Sequence, residues 1–189
     1  HYVKYFRNNN FNVLGINYAP SYLNYECDFS QNLATLSPNE ISTHYLLNAV
    51  DLINDYDVFH FLFNQTLIPN HIDLIVLKKL RKKVFMHNLG SEIRIPDIAR
   101  KMNPYWKYAE NYLSNLNGPQ IQNTLQFLSS WIDNSIVNDY EMRSYTEKYY
   151  KNIYMIGLPT DIDQYSFQPL KESKIIHIVH APTNSNVKG

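Results

Sequence analysis

The stretch Val84-Phe-Met-His-Asn-Leu-Gly-Ser-Glu-Ile-Arg94 puts a histidine, a glycine turn and an acid–base pair into eight residues, His87 to Arg94. A short apolar run precedes them, so His87 stands where a buried strand ends and a loop begins. In α/β proteins such loops line the ligand crevice beyond the carboxyl ends of parallel strands. His87 there could hydrogen-bond a substrate hydroxyl or phosphate. Gly90 would let backbone come close to a ligand, and Ser91, Glu92 and Arg94 would add polar contacts. Plainer readings stand beside these. His87 could be a structural histidine bonded to a carbonyl, and Gly90-Ser91 a simple turn lacking the repeated glycines and lysine of a phosphate loop. Glu92 and Arg94 could pair on the surface, which contributes little to stability.

A second junction of this kind closes the chain, Ile175-Ile-His-Ile-Val-His-Ala-Pro-Thr-Asn-Ser-Asn-Val-Lys-Gly189, and offers Asn184 and Lys188. Two strand ends with histidine and polar residues suggest a cleft between two sheets. His60, among Val58, Phe59, Phe61 and Phe63, reads as a satisfied interior histidine. His71 and Asp73 are two apart and share no helical face. Scattered histidines and one cysteine, Cys27, give no support to a metal site or an internal disulfide. No Gly-x-Ser-x-Gly elbow is present, so acyl transfer has no motif.

The elements that must position these residues alternate. His1 to Asn9 reads as a helix tail and Phe11 to Asn17 as a strand. Ser37-Pro-Asn-Glu40 has the form of a helix start, with Ile41, Tyr45, Leu46, Ala49, Leu52 and Ile53 at helical spacing. Asp57–Phe63 is a strand, Ile72–Leu80 a helix and Val84–His87 a strand. Helices broken at Pro104 and at Gly118-Pro119 fill the stretch from Pro96 to about Trp131. Ser135–Asn138 is a strand, Glu141–Tyr150 a helix and Asn152–Gly157 a strand. Asp161–Pro169 reads as a linker before a strand at Lys174–Val179. Short strands alternating with helices call for an α/β fold, a mostly parallel sheet with helices on both faces.

Composition sets limits. The 189 residues are 44% hydrophobic, enough for a packed core. Seventeen basic residues balance seventeen acidic ones, which argues against nucleic acid as partner, because phosphate binding needs a net basic face. The cluster Lys78, Lys79, Arg81, Lys82 and Lys83 reads as a solvated helix end that suits the macrodipole. Its functional alternative is peripheral contact with an anionic membrane, although no helix face rich in Trp or Phe sits beside it. The chain shows no signal peptide and no apolar run near 18 residues. A soluble cytoplasmic protein, with peripheral contact at the inner membrane face as an option, is the expectation.

Three segments in the same order resemble the bacterial GT-B glycosyltransferases, most like family 4. They are Tyr56–Phe63 with Asp73-Leu74 and Leu77–Leu80, then Val84–Arg94, then Ile178–Asn184 with Lys188-Gly189. Ile136–Asp139, Glu141 and Tyr145 are similar to a further segment, and Leu158-Pro159 with Asp161–Asp163 to the interdomain crossover. The resemblance implies one half of a GT-B fold. Residues 1–168 would be the Rossmann-like acceptor-side domain without its first strand. Residues 169–189 would be the start of the donor-side domain, making the chain an internal piece of a longer enzyme, inactive alone.

The same resemblance implies a retaining glycosyltransferase moving a hexose from a nucleotide-sugar to a cell-envelope or polysaccharide acceptor, a glycan or a lipid-linked one. No metal or other cofactor would be needed. His87 matches the histidine that approaches the transferred sugar, and Gly90, Ser91, Glu92 and Arg94 the loop after it. Lys188, with Asn184 in the same element, matches the group that neutralises the donor diphosphate. Leu89, Glu92 and Ser185 depart from the relatives, which carry His, Asp and Arg there. Leu89 and Ser185 favour the alternative, a non-catalytic carbohydrate-binding or partner subunit with the same domain. A dehydrogenase or sugar-nucleotide epimerase is more distant, for want of a Gly-x-Gly-x-x-Gly.

Overall fold

The structure is a computed structural model that describes residues 2–18, 27–30, 36–108, 116–160, 166–169, 175 and 178. The chain forms two compact units, His1–Asn48 with Leu158–Leu170, and Ala49–Gly157 with Lys171–Gly189. The expected strand at Lys174–Val179 and the start of a further domain at 169–189 lie almost wholly outside the described residues.

In the first unit, helix α1 (Tyr2–Asn8) precedes a parallel pair of two-residue strands, β1 (Ile16–Asn17) and β2 (Phe29–Ser30). The strand expected over Phe11–Asn17 therefore shrinks to its last two residues. Phe11 and Leu14 are exposed, so no buried face holds the rest extended. The Asp28 carboxylate fixes the junction instead, accepting from the Gly15 N–H at 2.7 Å and pairing with Arg7.

Helix α2 (Pro38–Asp55) starts where the sequence placed it. Glu40 accepts from the Ser37 N–H at 2.8 Å and from its hydroxyl at 2.6 Å, a capping box that satisfies donors the first turn leaves orphaned. Ala49 and Ile53 are buried as the spacing requires, but Leu46 is 55% exposed.

The second unit holds a Rossmann-like α/β sheet. Strands β3 (Val58–Leu62), β4 (Lys83–Asn88), β5 (Asn134–Val137) and β6 (Asn152–Met155) run parallel, and their order in space is their order in the chain. Parallel neighbours need long crossovers, which helices normally supply. Here they are α3 (Asp73–Lys79), α4 (Pro96–Met102), α5 (Gly118–Trp131) and α6 (Tyr140–Thr146).

Caps set the helix limits. Gly118-Pro119 opens α5 rather than merely breaking a longer helix. Asn117 Oδ1 accepts from the Gln120 N–H at 3.1 Å, with Pro in the first turn. Asp139 caps α6 through the Met142 N–H at 2.8 Å. That helix stops at Thr146 instead of reaching Tyr150. The Thr146 hydroxyl bonds back to Met142 and Arg143 carbonyls, and the Tyr149 and Tyr150 N–H groups turn onto its own carbonyl.

Register assigns the two faces of the sheet. Phe59, Phe61, Val84, Met86 and Val137 share one face and are buried, with Leu77, Leu125 and Leu128 in the same core. Asn88 and Ser135 lie on this face too, and the Asn88 Nδ2 amide donates to Ser135 Oγ at 2.8 Å, which gives both buried side chains a partner on that side. The opposite face carries His60, Leu62, Phe85, His87 and Ile136. His87 therefore ends up beside Leu62 on one side and Ile136 on the other.

Candidate functional site

The carboxyl ends of β3, β4 and β5 gather the polar side chains of the second unit. His87 is at their centre and is 0% exposed. Its Nε2 is 2.8 Å from Asn138 Oδ1, just past the end of β5, and its Nδ1 is 3.1 Å from His60 Nε2 on β3. A carbonyl oxygen can only accept, so His87 carries its proton on Nε2, and its Nδ1 accepts from the His60 N–H. The two rings stack, with centroids 5.3 Å apart and planes 12° from parallel.

Burial lowers both imidazole pKa values, His60 to about 4 with the His87 charge adding to the effect, and His87 against the opposing pull of Asn138. Both rings are neutral at pH 7. His60 is thus a satisfied histidine, as its position in the strand suggested, and what satisfies it is the candidate site residue.

The Gly90 turn is closed by its own acid. Glu92 Oε1 accepts from the Leu89 N–H, and the Ile93 N–H returns to the Gly90 carbonyl at 3.2 Å. Backbone N–H groups that a phosphate could use thus face a carboxylate already. Burial pushes the Glu92 pKa up, against the N–H groups of Leu89, Glu92 and Gly90 and the Arg94 charge. Its Oε2 is buried with no hydrogen-bond partner, as are Asn64 Oδ1, Asn88 Oδ1 and the Tyr150 hydroxyl. Asn64 Nδ2 donates to the Glu92 carbonyl at 3.3 Å, joining the loop after β3 to the loop after β4. Open space lies in front of Gly90, where an added Cβ would meet nothing within 4 Å, and Ser91 is exposed beside it.

Arg94 does not pair with Glu92. Its Nε meets Glu141 Oε1 at 3.1 Å, and the buried Tyr145 hydroxyl donates to the same oxygen at 3.0 Å. Glu141 and Tyr145 are four residues apart on α6 and so share a face. Burial first, then the Glu141 charge, pushes the Tyr145 phenol far above its usual range.

The loop after β3 is strained, with positive φ at Phe63, Asn64, Asn70 and His71. Buried Asp73 pins it, accepting from Thr66 Oγ1 at 2.8 Å and the Leu67 N–H at 3.0 Å, while the His71 ring contacts Thr66 Oγ1 at 3.1 Å.

The structure brings His87, Gly90, Ser91, Glu92 and Arg94 onto one strand end and its loop. Asn184 and Lys188 lie outside the described residues. Among the described residues no three His, Cys, Asp or Glu side chains form a group able to hold a metal ion, and no helix is long and apolar enough to cross a membrane. Sequence reasoning did not anticipate the roles of Asn138, Asn88, Asn64 and Tyr150. The signal for Asn138 is its place directly after a strand, one residue beyond the end of β5.

Family models, curated proteins and solved structures yield no match to this chain. The functional reading therefore rests on the residues themselves.

Proposed function

We propose that this chain is the acceptor-side half of a GT-B, retaining glycosyltransferase that moves a hexose from a nucleotide-sugar to a cell-envelope or polysaccharide acceptor in the cytoplasm. The observation that supports it is the open space before Gly90, just past the carboxyl end of β4, flanked by exposed Ser91 in a turn that Glu92 closes. A sugar presents many hydroxyls and little charge. A turn whose N–H groups already face Glu92 suits hydroxyls better than a phosphate.

Within this reading Ser91 and the Gly90 backbone contact the acceptor. His87 holds the loop end through Asn138 and reaches the sugar only if its ring is uncovered. Arg94, tied to Glu141, positions the loop. Asn184 and Lys188 would meet the donor diphosphate, where a fixed cation stabilises charge growing on the leaving group. No metal or other cofactor is needed in that scheme.

The test is a titration of the chain with an oligosaccharide acceptor, a UDP-hexose and NAD separately, followed by Trp106 and Trp131 fluorescence. Saturable binding of oligosaccharide supports the reading. Binding of NAD alone overturns it.

A second reading, a non-catalytic carbohydrate-binding subunit, is favoured by one observation: both ring nitrogens of His87 are engaged and none of the ring is exposed. Transfer activity of the protein joined to a donor domain separates the two.

A further inference from the structure

Helix α3 turns an apolar stripe outward. Leu74 and Leu77 are buried, yet Ile72, Ile75, Val76 and Leu80 are 59%, 42%, 43% and 54% exposed. At 100° per residue these four positions fall within one arc, opposite the buried pair. Four branched aliphatic side chains in one row on a surface call for a partner.

Cations border the stripe, and their bonding sorts them. Lys78 is turned inward, 2.7 Å from the Ser130 carbonyl and over the Trp131 ring at 5.3 Å. Lys82 is held by the Tyr56 carbonyl at 2.7 Å and by Asp57 at 3.1 Å. Lys79, Arg81 and Lys83 are exposed and have no acidic partner among the described residues. The acid on this segment, Asp73, is buried and points into the loop of Thr66 and Leu67. In a chain with no net charge, this corner is basic.

We propose that this face, Ile72, Ile75, Val76 and Leu80 with Lys79 among them and Arg81 and Lys83 following the helix end, docks on an anionic phospholipid bilayer. Apolar side chains enter the interface while cations meet the headgroup phosphates, and each adds to the other. A second copy of the chain is the poorer occupant, since it would set basic rims against each other. Nucleic acid is poorer too, because the stripe offers aliphatic branches where bases need aromatic faces to stack on. The contact does not rest on the sugar-transfer reading.

The test is flotation of the chain with vesicles of phosphatidylcholine alone or mixed with phosphatidylglycerol. Binding to the mixed vesicles only, weakened by added salt through screening, is the expected result. K79Q/R81Q lowers the partition coefficient by about twenty- to thirtyfold, two cations at roughly fivefold each. I75S/V76S abolishes binding while the circular dichroism spectrum stays unchanged, since both side chains are already exposed. Equal binding to neutral vesicles, no binding to anionic ones, or indifference to either double variant overturns the proposal. So does a concentration-dependent dimer in sedimentation that I75S/V76S disperses, which assigns the face to self-association.

Discussion

His60 and His87 lie ring on ring, 12° from parallel, and share one hydrogen bond of 3.1 Å between Nε2 and Nδ1. Neither ring can be protonated without placing a cation against the other in a half-dry site. The pair is therefore a neutral unit that ties β3 to β4, and Asn138 extends it to β5.

Acid should open this pair. The folded-state pKa of His60 is depressed to about 4 from 6.5. Its stabilising contribution is present above pH 6.5 and is lost as pH falls from there toward 4, because only the unfolded chain takes up the proton in that window. The loss is on the order of 3 kcal/mol at the low end. Urea midpoints at pH 7 and pH 5 should differ for the wild type, and the difference should shrink in His60→Gln. An equal difference in both proteins would exclude the pair as its source.

Glu92 has the opposite sign. Burial raises its pKa, so its contribution is present below the unfolded value of 4.5 and is lost as pH rises through the folded one. Glu92→Gln keeps an oxygen for the Leu89 N–H and removes the charge. It should stabilise the protein at pH 7 and have no such effect at pH 4. Glu92→Leu, which leaves that N–H without its acceptor, should destabilise by about 1–3 kcal/mol at either pH. Thermal melts of the two variants at both pH values decide it.

The sheet is legible in the sequence because its strands are short runs of branched and aromatic residues between turns. Each of the four came within two residues of its expected limits. The start of α2 is legible because Ser37 and Glu40 are spaced to bond each other. Phe11–Asn17 has the same composition as a strand but no buried face to lie on, and composition does not reveal that. Within the site, His87 was visible as the residue where an apolar run stops. Its partners were not, since His60 and Asn138 are 27 and 51 residues away and meet it only through sheet register. Arg94 and Glu141 both carry charge, but their meeting across 47 residues depends on where α6 lies, so the sequence alone favours the nearer Glu92 as partner.

Two buried tyrosines should respond differently to loss of the hydroxyl. The Tyr145 hydroxyl donates to Glu141 at 3.0 Å, so Tyr145→Phe should cost about 1–2 kcal/mol. The Tyr150 hydroxyl is buried near the Asn88 amide without completing a hydrogen bond. Tyr150→Phe removes a polar group that folding strips of water for no return, so it should be neutral or stabilising by up to about 1 kcal/mol. Denaturation of both variants under one condition compares them directly. A loss at Tyr150 equal to that at Tyr145 would mean its hydroxyl is bonded in solution.

Gly90 separates stability from binding. No positive φ requires a glycine there, and a methyl group would meet nothing within 4 Å. Gly90→Ala should therefore stabilise the fold by about 0.4–1 kcal/mol by restricting the unfolded chain. If the open space before the turn is where an acceptor sugar sits, the same methyl fills it, and oligosaccharide affinity should fall at least tenfold. Variants that weaken binding usually weaken the fold as well, so a gain in melting temperature with a loss of affinity would point to occupancy of that space. A variant that gains stability and keeps its affinity would place the sugar elsewhere and remove Gly90 and Ser91 from the site.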